Sequence, residues 1–152
     1  MNARESRASY HHGDLRRALI ANALELLETR AEGDVSLREV ARVSGVSATA
    51  VYRHFPDKDA LYAVLVAEGY ERLADAQEAA AASCVDRAAA FRATGRAYVR
   101  FALANPALFR LMSSCMHLQG AAAGPLPASR ARQLLFDHVA ALMPGRARRN
   151  AW

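Results

Sequence analysis

The sequence predicts an all-α protein: an N-terminal three-helix bundle containing a helix-turn-helix, followed by a short helical C-terminal region. Three observations predict it. Ala and Leu are frequent while β-branched runs are scarce. Apolar residues recur at helical spacing in segment after segment, with no strand alternation of any length. Cap residues, Gly and Pro then punctuate those segments at the right places.

The elements follow in order. Residues 1–9 form a flexible polar arm. Asp14 can cap a first helix over 15–30, whose Leu15, Leu19, Ala23, Leu26 and Leu27 make one apolar side. Gly33 and Asp34 break it. Ser36-Leu37-Arg38-Glu39 has the form of a capping box and opens a helix of about two turns. Gly45 stands where a left-handed turn residue is needed. Ser47 caps a third helix to about His54, and Phe55-Pro56 stops it. Asp57 caps a fourth helix that Ala-rich turns carry to about residue 82. A fifth covers 85–104, with Phe91, Tyr98 and Phe101 largely on one side. Asn105-Pro106 restarts the chain as a capped helix over 106–118. The stretch 119–128 is a loop, Ser129 begins a last helix through Leu142, and 143–152 is a basic tail. This gives roughly seven helices, grouped as a domain over 10–70 and a helical region over 71–142.

Composition excludes several classes. With 53% hydrophobic residues and a mean hydropathy of −0.06, the 152-residue chain is globular rather than disordered. No apolar run approaches the roughly 18 residues needed to cross a bilayer, and the first residues lack a secretory apolar block. A cytoplasmic protein without membrane contact is expected. Cys84 and Cys115 are isolated, and His11-His12 has no further ligands at useful spacing. No Gly-rich phosphate loop, carboxylate pair or Cys/His cluster points to catalysis, a metal or a cofactor.

Net charge is +5 with a pI near 9.8, but its location matters. Residues 1–70 hold 9 Lys/Arg against 10 Asp/Glu, and residues 71–152 hold 11 against 5. Any nucleic-acid affinity of the N-terminal part must therefore come from local arrangement rather than from bulk charge.

That arrangement lies in 36–54, two short helices joined by Ser44-Gly45-Val46. Ala41 is the small residue where the helices cross, and Val46 fills the corner. Val51 and Phe55, one turn apart, share the buried side of the second helix. Ser47, Ala48 and Thr49 then face outward at its start, small enough for a backbone to approach base edges. One turn later Tyr52, Arg53, His54 and the nearby Lys58 supply donors suited to phosphates. Plainer roles are open to them: partial burial for Tyr52, solvation for Arg53, a structural hydrogen bond for His54.

The segments YHHGDLRRALIANALELL and SLREVARVSGVSATAVYRHFPDKDALYAVL resemble the DNA-binding domain of TetR-type transcriptional regulators. RAYVRFALANPALFRLM is similar to the ligand-binding half of some members. The resemblance implies an all-helical, usually dimeric protein that represses genes until a small molecule binds its C-terminal half. By position, Ser47, Ala48 and Thr49 take the base-facing role, and Tyr52, Arg53, His54 and Lys58 take mainly phosphate contacts. Ser36 and Arg38 take a contact at the groove edge. The implied partner is double-stranded DNA with paired half-sites, met by a bacterial protein associated with the nucleoid when bound. Family members are longer, with two further helices that build the dimer, so a shortened C-terminal region is expected.

Phe91, Tyr98, Phe101, Phe109, Met112 and Met116 could line a pocket for an apolar or amphipathic effector, or simply fill the core. The reading is thus a sequence-specific DNA-binding regulator, a ligand-responsive repressor acting as a homodimer. The alternative is a protein-interaction module that pairs with a longer relative and antagonises it.

Overall fold

The computed structural model describes residues 3–30 and 34–122, together with 130, 131, 133, 134, 137 and 140; side chains are described from Asp14 to Ser114 and at those last positions. Six helices are present and no strand among the described residues: α1 (Ala3–Thr29), α2 (Leu37–Val43), α3 (Ala48–Tyr52), α4 (Lys58–Ala82), α5 (Arg87–Ala104) and α6 (Pro106–Ala122). Two compact units part between Leu65 and Val66.

The first unit is organised by one apolar cluster. Leu19, Leu27, Val35, Val40, Val51, Phe55, Leu61 and Leu65 are all fully buried or within 1% of it. Each large aliphatic side chain so placed stabilises the unit by about 2 kcal/mol. α2 packs on both α1 and α3. The expected start of the first helix at residue 15 is corrected, because α1 already begins at Ala3. The segment Ala3–His12 contains no Pro, and Gly13 costs a helix only about 1 kcal/mol, so nothing stops it there. Asp14 is consequently no cap. It lies inside the helix and pairs with Arg17 at 3.1 Å.

The ends of α2 and α3 follow the expected local chemistry. Ser36 Oγ accepts from Glu39 N at 3.3 Å, and Glu39 Oε2 accepts from Ser36 N at 3.2 Å, closing the capping box. At the other end Gly45 N–H bonds Arg42 O and Val46 N–H bonds Ala41 O. These two bonds form a Schellman turn around Gly45, whose φ is +66°. Ser47 Oγ then accepts from Ala50 N at 3.2 Å and starts α3. α3 ends at Tyr52, two residues before the expected end at His54, as Phe55 N–H folds back on Val51 O at 2.9 Å. Asp57 Oδ1 accepts from Ala60 N at 2.7 Å and caps α4.

In the second unit α4 buries Leu73, Ala74 and Gln77, and α5 packs on α6. Gly69 is needed for a close approach, since a methyl added there would lie 2.6 Å from Met112 Sδ. The buried side of α5 is Ala93, Thr94, Ala97 and Phe101. This corrects the expected aromatic side: Phe91 is half-buried and Tyr98 is 42% exposed, its ring edge-on to Phe109 at 5.4 Å. Small residues form most of the packed surface, with Phe101 its one aromatic, because they let the helix axis come close.

Asn105 joins the two helices: its carbonyl accepts from Phe109 N at 2.9 Å, and its main-chain N–H and side-chain amide both donate to Phe101 O, at 2.9 and 3.0 Å. α6 continues to Ala122, past the expected end at 118, since its Ala residues favour helix and Gly120 alone does not break it. The remainder of the expected loop and the tail 143–152 lie outside the described residues. Within the expected last helix the described residues are helical. There Arg130 bonds Glu71 at 2.9 Å and Glu78 at 3.0 Å, and also Asp75.

The turn supplies a direct stability test. A Cβ at Gly45 would meet nothing within 4 Å, so the cost of adding one is conformational alone. Gly45→Ala should destabilise the protein by about 1 kcal/mol in chemical denaturation, and Gly45→Asn by less.

Candidate nucleic-acid interface

The short helices expose a polar surface because Leu37, Val40 and Val51 point the other way, while Val43 at the end of α2 is 44% exposed. Val51 is fully buried and Phe55 is 1% exposed, which leaves Ser47, Ala48, Thr49, Tyr52 and Arg53 exposed. Ser47 uses its oxygen to cap α3, so its hydroxyl proton remains available to a partner. Ala48 and Thr49 present a methyl and a small hydroxyl at the start of the helix. Tyr52, 46% exposed, follows one turn on. His54 is half-buried, its ring tilted 51° to that of Phe55 at 6.4 Å. Arg16 lies over the Phe55 ring, its guanidinium 5.6 Å from the centroid.

Ser36 and Arg38 are exposed at the start of α2. Besides capping, Ser36 Oγ donates to Glu39 Oε2 at 2.9 Å. Hydrogen bonds from the Ser36 hydroxyl and main-chain N–H, with Arg30 and Arg42 nearby, hold the Glu39 carboxyl below its ordinary range. Arg30 forms an ion pair with the same carboxylate.

Lys58 forms an ion pair within the protein. Its ammonium contacts Asp34 Oδ1 and stands 5.1 Å from the Tyr62 ring centroid. Tyr62 OH donates to the same Asp34 Oδ1 at 2.7 Å and accepts from Val35 N at 2.9 Å. The Lys58 and Tyr62 hydrogen bonds lower the Asp34 pKa, and the Asp34 bond raises that of Lys58. Burial, followed by the Asp34 bond, raises that of Tyr62.

The sequence reading missed three residues that position this surface. Asn22 Nδ2 donates to Ser44 Oγ at 2.8 Å, tying α1 to the turn between α2 and α3. Asn inside an apolar helical stretch was the available signal, since it favours other conformations unless its amide has a partner. Asp34 read only as a helix breaker, and Tyr62 as one more residue of α4. Their pairing crosses 28 positions and has no local signature.

Of the second set of expected site residues, Tyr98 and Phe109 meet edge-on. Phe101 and Met112 are core, Phe91 and Phe109 are half-buried, and Tyr98 is exposed. The side chain of Met116 lies outside the described residues. A shallow groove runs along the outer side of α5, lined by Arg92, Gly95, Arg96, Val99 and Arg100. Among the described residues no three His, Cys, Asp or Glu side chains gather as a metal site, and no helix is long and apolar enough to cross a membrane.

Comparison with known proteins agrees with the geometry. Residues 19–65 match the family model of bacterial regulatory proteins of the tetR family, and residues 91–151 match that of the tetracyclin repressor-like C-terminal domain. A solved structure from Rhodococcus sp. RHA1, described as a protein with unknown function, is 37% identical with a TM-score of 0.64. The match covers 89% of this chain and 67% of that one. The two matched segments frame the helix-turn-helix and the helices that follow it, and the chain belongs to the TetR family of bacterial regulatory proteins.

Proposed function

We propose that this TetR-family DNA-binding regulator is a ligand-responsive repressor that reads its operator through Ser47, Ala48 and Thr49. Tyr52, Arg53, His54 and Lys58 hold the flanking phosphates, and Ser36 and Arg38 approach the groove edge. The observation that supports this most is the exposed run of small residues at the capped start of α3, backed by fully buried Val51. A helix that enters a major groove needs this division between clearance at its first turn and donors at its second. Members of the family usually dimerise and are generally not enzymes. Two copies bound to paired half-sites in the cytoplasm, on the nucleoid, complete the reading.

Footprinting on the adjacent promoter tests it. Ala48→Trp should abolish or relax sequence preference by filling the space next to the bases. Lys58→Ala should weaken binding to every duplex and lower the salt slope by about one. Absence of any protected site at modest salt, with Tyr52→Ala unchanged in DNA affinity, would sink the reading.

The effector part of the proposal rests on Gln77. This side chain is 5% exposed, and its Oε1 has no hydrogen-bond partner among the described residues. A buried carbonyl left so costs about 1–3 kcal/mol, which an effector bearing a donor would recover. Gln77→Met should therefore raise the stability of the effector-free protein by about 1 kcal/mol in thermal denaturation. No gain would mean that the carbonyl is already satisfied.

A second reading, an interaction module for a longer relative, draws on α5. Val99 is 54% exposed and Leu103 77% exposed there. Light scattering at rising concentration separates the two: a homodimer that binds the operator favours the repressor, and a monomer that dimerises only with a co-expressed relative favours the module.

A further inference from the structure

The Asp34–Lys58–Tyr62 contacts have a consequence for affinity. Resting on the DNA-binding reading above, we infer that Asp34 is an affinity-setting residue: it holds Lys58 in the free protein, and DNA must displace it to gain the ammonium. Three features support an exchange rather than a passive surface pair. Asp34 is fixed from two sides, by Lys58 and by the Tyr62 hydroxyl, which is itself anchored on Val35 N–H. The carboxylate therefore stays where Lys58 meets it instead of swinging into solvent. Lys58 is the first residue of α4, and its side chain is 46% exposed, so a flexible stem can carry the ammonium elsewhere. The pair is solvent-exposed and consequently weak, which keeps the exchange within reach of a phosphate.

A lysine already neutralised inside the protein adds less to DNA affinity than a free one. The electrostatic term is nearly all of non-specific binding and acts on every sequence alike. Asp34 thus lowers affinity for operator and background DNA together and leaves base preference to residues 47–49. Tyr62 acts through Asp34, as a positioning residue.

A double-mutant cycle on the full chain tests this, with binding to a short mixed-sequence duplex read by fluorescence anisotropy across a salt series. Asp34→Asn keeps an acceptor for the Tyr62 hydroxyl and removes the charge. It should tighten binding about three- to fivefold at low salt and steepen the salt dependence. In a Lys58→Gln background the same change should give much less. Tyr62→Phe keeps both charges and should give a smaller gain, again only when Lys58 is present; it carries the test if Asp34→Asn fails to fold by circular dichroism. Equal affinity of Asp34→Asn and the parent overturns the inference. So does an equal gain in the Lys58→Gln background, which would show that Asp34 acts by its field alone. If the parent binds no duplex at all, it is the DNA-binding reading that fails.

Discussion

Helices of seven and five residues do not persist in water by themselves, because nucleation is costly and short helices leave most of their end groups unbonded. The exposed surface of the helix-turn-helix depends on how those ends are satisfied. The Ser36–Glu39 box closes one end of α2, and the Schellman turn at Gly45 closes the other. Ser47 begins α3 within two residues of that turn. Val51 and Phe55 then lock α3 from below. With its ends tied and its apolar residues committed, α3 has no freedom left in which way its outer residues point. The Asn22 amide extends the same logic by fixing the turn itself to α1.

Charge enters as a second layer. The N-terminal part of the chain is slightly acidic in total, so its cations do not gain from a broad positive field. Several carboxylates instead serve as braces. Glu39 receives Ser36 and Arg30, and Asp34 receives Lys58 and Tyr62. Acidic residues fix geometry at the edge of the proposed DNA-binding surface, and in that proposal affinity is set by which anion each cation meets.

Helix ends were legible wherever one or two residues decide them. Ser36, Gly45, Ser47 and Asp57 act through bonds to neighbours three to five positions away, and such chemistry is written locally. The start of α1 was not legible, since Asp14 looks like a cap and nothing before it forbids helix. The packed side of α5 was misread because aromatic residues dominate an apolar pattern, whereas Ala93 and Ala97 decide how near a neighbour can come. At the interface, the outward residues followed from the burial of Val51 and Phe55. The partners of Lys58 did not, because an ion pair between a loop and a later helix depends on the fold that joins them.

In the proposed interface the capping box limits what Ser36 can offer to DNA. Its hydroxyl proton already goes to Glu39 Oε2, and one oxygen lone pair already receives Glu39 N–H. Only acceptor capacity is left. A phosphate oxygen, which also only accepts, makes no hydrogen bond with such a group. Base edges that donate, the exocyclic amines of cytosine and adenine, do. Two serines eleven positions apart therefore carry opposite polarity at the same surface: Ser47 still has a proton to give, and Ser36 has only a place to receive one.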